Sequence, residues 1–243
     1  LHGVEQGEYF DMTPYIEAAS HFVINLMPKL NLPRKFKISF SNGLDNEGHA
    51  TFKDLGFVAR PDHTFDVYAG GGFGVNGSRF GILIDHGIDP LDISYYIFAY
   101  ARDIYMKYGD YEHRGRNRSR FILEAIRKVR SEGDYRLTIE PQTPSTKGSD
   151  GDRILSDPRI GKQKQPGLYY VAYKPLGGTP DMTVFTRLLT ALSAMDDVEI
   201  RLNADETAYI INLTAPEARV IADITISDTA RTPFEQSVSC IGA

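Results

Sequence analysis

Residues 32–41, LPRKFKISFS, alternate with a period of two: Phe36, Ile38 and Phe40 fall on one side, and Lys35, Lys37, Ser39 and Ser41 on the other. Only an extended backbone sends every second residue to the same face, so this stretch predicts a half-buried strand with two ammonium groups turned outward. Lysines two apart in a strand stand roughly 7 Å from each other, close enough to converge on one small anion. Their mutual repulsion favours a negative partner between or above them. An edge strand that uses lysines to discourage aggregation gives the same pattern, and the alternation alone admits both readings.

At 243 residues the chain can form one large domain or two ordinary ones, and 42% hydrophobic with 24% charged residues is a globular composition. A formal net charge of −5 removes bulk attraction to polyanions, so any anion site has to be a local basic patch. No apolar run approaches the roughly 20 residues of a membrane span. The start, Leu1-His2-Gly3-Val4-Glu5, has neither a basic-then-apolar leader nor an initiator Met, and the chain is expected to begin inside a longer protein. Cys240 is its one cysteine, which excludes an internal disulfide framework and any metal site built mainly from this chain's thiolates. It fits a reducing, cytoplasmic setting.

Residues 12–28 predict a helix, with Thr13 as N-cap, Pro14 at the first helical position, and Ile16, Ala19, Val23 and Leu26 on the buried stripe. Asn42 to Lys53 is polar and reads as a loop. Asp54–Arg60 and Thr64–Ala69 read as two strands turned at Pro61-Asp62-His63. The second runs into Gly70-Gly71-Gly72-Phe73-Gly74, where missing Cβ atoms allow close backbone approach or positive φ, and where N–H groups could cradle an anion. A tight turn explains the glycines as well. Neither a nucleotide-hydrolase phosphate loop nor a GxGxxG fingerprint is present.

Arg79–Asp85 predicts a further strand. Asp89-Pro90 starts a helix reaching about Tyr108, with Ile93, Ile97, Ala101, Ile104 and Tyr108 buried. A second helix carries Phe121, Ile122, Ala125, Ile126 and Val129. Between residues 113 and 130 stand seven Lys/Arg against the single Glu124, and Arg114, Arg116, Arg118 and Arg120 precede the helix start, where cations oppose the helix dipole. A bound anion would relieve that conflict, although a charge run is usually a solvated face.

Residues 132–166 are polar, with Pro and Gly dispersed, and read as a linker or surface excursion. The remainder has its own rhythm: a strand at 167–174, a helix capped at Thr179-Pro180-Asp181 with Met182, Phe185, Leu188, Leu189 and Leu192 as its apolar positions, strands at 198–202 and 208–213, and a helix from Thr214 holding Val220, Ile221 and Ile224. This β-α-β-β-α order is a ferredoxin-like half unit, and the whole chain reads as α+β.

Together these stretches resemble the siroheme-dependent nitrite and sulfite reductase family. The likeness rests on Leu32-Pro33-Arg34-Lys35-Phe36-Lys37, on Asp54-Leu55-Gly56-Phe57-Val58-Ala59, and on Gly70-Gly71-Gly72. The Asp11–Tyr15 lead-in (DMTPY) and the Arg114–Arg120 run add to it, and it covers residues 8–130 and 167–243. The lysine motif followed by the triple glycine at this distance is a specific combination.

The resemblance implies nitrite or sulfite as substrate, ferredoxin or a reductase subunit as electron donor, and siroheme coupled to a [4Fe–4S] cluster through a cysteine thiolate. It assigns Lys35 and Lys37 as catalytic cations that hold the oxyanion and supply protons. Arg34, Arg114, Arg116, Arg118, Arg120 and Arg201 become partners of siroheme carboxylates, and Gly70, Gly71 and Gly72 allow the macrocycle close to the backbone. It implies a siroheme-binding domain at 1–131, a linker or surface excursion at 132–166, a ferredoxin-like half domain at 167–228, and the start of the cluster segment at 229–243, with Cys240 as metal ligand. The sequence departs from the family at Asn203 (for Thr), and at Asp205 and Glu206 (for Asn-Gln). One thiolate cannot hold a four-iron cluster, so the chain is expected to be a fragment, inactive by itself. The alternatives are an anion- or tetrapyrrole-binding module without redox activity, and a corrin-pathway relative on the same scaffold. An arginine-rich nucleic-acid patch conflicts with the acidic balance and lacks a reading motif. Neither nucleic acid nor membrane is an expected partner.

Overall fold

The computed structural model describes residues 2–43, 46–72, 78–109, 111, 122–143, 145, 147 and 155–237. The chain divides into two compact units, Gly7–Gln142 with His2, and the described residues of Thr143–Ala243 with Gly3–Gln6. The fold is α+β, as the sequence predicted.

In the first unit, α1 (Thr13–Leu26) precedes β1 (Ile38–Ser41), β2 (Leu55–Ala59), β3 (Phe65–Ala69) and β4 (Ile82–Ile88), which form one sheet in the order β1-β2-β3-β4. β1 and β2 are parallel, with Ile38 opposite Leu55, whereas β2–β3 and β3–β4 are antiparallel. The connection from β1 to β2, polar and expected as a loop, contains a 3₁₀ turn at Ala50–Phe52, with Ala50 fully buried. The hairpin turn at Pro61-Asp62-His63 is as expected: His63 takes φ 61°, and the Asp62 carboxylate accepts from Thr64 Oγ1 at 2.6 Å. Leu55, Phe57, Phe65 and Val67 are fully buried and pack with Ile93, Tyr96 and Tyr100 from the helical side. α1 begins one residue from the predicted cap: Met12 is the N-cap and makes no side-chain bond, while Asp11 Oδ1 accepts from Thr13 N at 2.9 Å.

The helix after β4 is not uniform. A 3₁₀ turn (Pro90–Asp92), with Asp89 accepting from Leu91 N, leads into α2 (Ile93–Phe98), which widens into a π-helix over Ala99–Met106. Winding with i→i+5 bonds brings Tyr100 and Tyr105 to the same buried side, both about 1% exposed. For the same reason Tyr108 falls off the stripe that a 3.6-residue period assigned it, and is 38% exposed. α3 (Ile122–Glu132) buries Ala125, Ile126 and Val129 as predicted. Beyond it, within the stretch read as a linker, Leu137 is buried and its N–H bonds to the Leu91 carbonyl at 2.8 Å.

The second unit has β5 (Ile160–Lys162), β6 (Tyr169–Tyr173), α4 (Met182–Leu192), β7 (Glu199–Leu202), β8 (Ala208–Leu213) and α5 (Ala215–Thr225). Its sheet runs β5-β6-β8-β7, antiparallel throughout, so the predicted β-α-β-β-α order gains a strand from the polar stretch before it. Asp181 caps α4 by accepting from Thr183 N and Val184 N at 2.8 and 3.1 Å, and Thr214 with Glu217 forms a capping box on α5. Val184 and Leu188 carry the buried face of α4. Met182 and Leu189, expected there, are 69% and 45% exposed. No helix among the described residues is long and apolar enough to cross a membrane.

Candidate functional site

The lysine stretch keeps its alternation but not its strand. Lys35 and Lys37 lie in the extended lead-in to β1, and both are exposed. Phe36 between them turns inward, its ring stacked on Tyr100 (centroids 5.4 Å apart, 6° between planes) and tilted against Tyr105 at 5.2 Å. Aromatic contacts of this kind contribute about 0.5–1.5 kcal/mol each beyond the area they bury. Phe36 therefore pegs the lead-in, and the two ammonium groups leave from either side of a fixed ring. Neither has a carboxylate within 4 Å among the described residues.

Asp54 explains why the ladder stops where it does. Leu55 N donates to Lys37 O at 3.1 Å, but the N–H of Lys37 is taken by Asp54 Oδ2 at 2.9 Å instead of by a neighbouring strand. The other oxygen, Oδ1, accepts from the Tyr105 hydroxyl at 2.9 Å, and that hydroxyl also lies 3.4 Å from the Lys35 carbonyl. Burial, followed by the Asp54 charge, pushes the Tyr105 pKa well above the usual phenol range, so this hydroxyl stays protonated and donating.

The glycine bend is stitched to the same two residues. Gly70 N donates to Asp54 O at 2.9 Å, Gly71 N to Lys53 O at 3.0 Å, and Gly72 exchanges bonds of 3.0 and 2.8 Å with Arg79. The expected cradle of free N–H groups is thus corrected: all three are used by backbone carbonyls. Gly70 has φ 78°, and a Cβ on Gly71 would stand 2.5 Å from Phe52 Cα, so these two are glycines for internal reasons. At Gly72 a Cβ would meet nothing within 4 Å among the described residues, which leave the backbone open to close approach there.

Arg34 is partly buried, and its charge acts on Tyr105. Arg201, on β7 of the second unit, is held by Glu199 of its own strand, with Nε–Oε1 at 2.8 Å. Arg114, Arg116, Arg118, Arg120 and Cys240 lie outside the described residues. Of the basic run, Arg127, Lys128 and Arg130 are described, and Arg127 is exposed. Two of them form ion pairs, Lys128 and Arg130. They pair with Asp103 and Asp92 at 2.9 and 2.8 Å, as on a solvated helix face. The lead-in carrying Lys35 and Lys37 and the glycine bend are joined through the backbone of Lys53 and Asp54, and sequence reasoning missed Asp54 and Tyr105. Their only trace was a lone acid ahead of an apolar strand and two tyrosines five apart, a spacing that an α-helix would separate.

Residues 1–131 match the family described as nitrite and sulphite reductase 4Fe-4S domain. The chain is similar to the ferredoxin–nitrite reductase of Leptolyngbya laminosa, 33% identical over 153 residues (58% of this chain, 28% of the relative). It is 27% identical to that of Synechococcus elongatus over 265 residues (99% and 49%), and 27% identical to sulfite reductase [ferredoxin] 1 of Mycolicibacterium paratuberculosis over 256 residues (98% and 42%). The fold matches that of the Mycobacterium tuberculosis NirA protein with a TM-score of 0.66 at 20% identity, covering 93% of this chain and 42% of that one. This chain spans less than half the length of each of these proteins. With more than half of its residues inside the matched domain, the chain belongs to the nitrite and sulphite reductase 4Fe-4S domain family.

Proposed function

We propose that this chain is part of a reductase that converts nitrite to ammonia or sulfite to sulfide, with Lys35 and Lys37 holding the oxyanion, and that the chain by itself does not turn over. The observation that carries this reading is the pair of exposed lysines, set on either side of the partly buried, stacked Phe36 ring and without an ion-pair partner among the described residues. That donor set fits an anion. Siroheme, when bound, would supply an iron face on which the oxyanion is reduced. Lys35 and Lys37 would attract the oxyanion and release protons to its oxygens as they depart as water, which arginine, with its far higher pKa, would not do. Arg34, Arg114, Arg116, Arg118, Arg120 and Arg201 would pair with the ring carboxylates, and Gly72 would let the ring near the backbone. Residues 1–131 would form the siroheme-binding domain, 167–228 the ferredoxin-like half, and 229–243 the start of the cluster segment. Ferredoxin as electron donor is supported by the names of the similar reductases.

The residues of this chain do not fit a four-iron cluster. Cys240 is the only thiolate, and no group of three or more His, Cys, Asp or Glu able to hold a metal occurs among the described residues. The test has two arms. The isolated chain, given reduced viologen and either nitrite or sulfite, is expected to consume neither, and turnover would overturn its inactivity. In the full-length protein, Lys35→Ala or Lys37→Ala is expected to lower turnover by about 10²-fold with siroheme content kept. Equal loss of both would make the lysines structural.

A further inference from the structure

Lys53 stands where the lysine lead-in and the glycine bend are joined. Its carbonyl accepts the Gly71 N–H at 3.0 Å, and the next residue, Asp54, holds the N–H of Lys37. Its ammonium group lies 5.4 Å from the centroid of the Phe52 ring, whose own backbone closes over Gly71. The side chain is half-buried, and no carboxylate comes within 4 Å of it among the described residues. Asp54, the nearest in sequence, has its oxygens committed to Lys37 N and to Tyr105. Burial first, and then repulsion from Lys37, hold the Lys53 pKa below the ordinary lysine value, and both outweigh the attraction of Asp54. Two ammonium groups that feel each other while neither is neutralised form an electrostatic arrangement that an anion would stabilise.

We infer that Lys53 is a third cation of the oxyanion site, facing the bound anion from the side of the glycine bend while Lys35 and Lys37 face it from the lead-in. The inference rests on the reading of Lys35 and Lys37 as oxyanion ligands and adds a residue to it. Coulomb energy scales with ligand charge, so the factor lost by removing one cation is squared on going from a monoanion to a dianion. A residue that merely packs the bend would not produce that relation.

The experiment follows the ¹³Cε–¹⁵Nζ signals of lysines in the full 243-residue chain during titration with sulfate and with nitrate, two oxyanions that will not be reduced. Lys35, Lys37 and Lys53 are expected to move together along one binding curve. Lys53→Met is expected to weaken nitrate about threefold and sulfate about tenfold, and Lys53→Arg to restore most of both. If Lys35 and Lys37 respond while Lys53 stays silent, the inference falls and the two-lysine reading stands. Failure of all three to respond would remove both. Equal losses for the two anions in Lys53→Met would make Lys53 structural. Should that variant not fold, the wild-type titration decides by itself.

Discussion

Tyr105 donates its hydroxyl to Asp54 at 2.9 Å, and through that one carboxylate a helix of the first unit fixes the backbone of Lys37. The bond joins three pieces far apart in the chain: the π-helix, the start of β2 and the lead-in to β1. It holds an acid 9% exposed against the backbone of a segment whose two lysines are exposed. The acid neutralises neither of them, because its oxygens face inward.

Replacing Asp54 tests how much that junction stabilises the unit. Asp54→Ala removes the acceptor of the Lys37 N–H and leaves the Tyr105 hydroxyl only the Lys35 carbonyl at 3.4 Å, and a loss of about 2–4 kcal/mol is expected. Asp54→Asn keeps one acceptor and should lose less. Urea unfolding checks this through a lower midpoint at unchanged m-value.

Two neighbouring glycines give a sharp contrast. In Gly71→Ala the new Cβ meets Phe52 Cα at 2.5 Å and its carbonyl carbon at 2.6 Å, both backbone atoms that cannot swing aside. A cost of about 1–3 kcal/mol follows. Gly72→Ala adds a methyl where nothing lies within 4 Å among the described residues and should fall within about 0.5 kcal/mol of wild type. Thermal melts of the two variants in parallel separate them.

Alkaline pH should loosen the same region. The folded pKa of Tyr105 is raised above its unfolded value, so above about pH 10 the folded state binds the proton that the unfolded chain has lost. The stabilisation is full below that pH and is lost as pH climbs toward the folded value. Urea midpoints measured from pH 8 upward should therefore decline, and decline less steeply in Tyr105→Phe.

In the second unit, Asp181→Ala removes the acceptor of two N–H groups at the start of α4 and should cost about 1 kcal/mol. Met182→Ser, one residue on but 69% exposed, should be nearly neutral. Local hydrogen exchange in α4 reads the difference.

Where local chemistry decides the outcome, the sequence was legible. Pro61-Asp62-His63 between two apolar runs could hardly be anything but a turn, and Asp181 caps α4 as expected. The Phe36–Phe40 alternation correctly placed its aromatics inward and its lysines outward. It did not reveal that β1 begins only at Ile38, because a side chain from residue 54 takes the preceding N–H. β5 escaped notice since its three residues sit in polar surroundings and gain strand character only from pairing with β6. Expecting the glycine N–H groups to be free failed for a similar reason: their acceptors at 53, 54 and 79 are set by tertiary placement. The long helix was legible through Ile93, Ile97, Ala101 and Ile104, all buried, and only Tyr108 falls out of phase, since a 3.6-residue period has no way to announce a π-turn.

That wide winding carries an evolutionary corollary. On an α-helix, five residues overshoot a full revolution by about 140°, so two rings at that spacing could not share Phe36. Deleting one residue between Tyr100 and Tyr105 would allow ordinary coiling with both rings still aligned. Here, in mid-helix, where a length change normally scrambles every downstream contact, a single-codon loss is the kind of accident the lysine platform can survive.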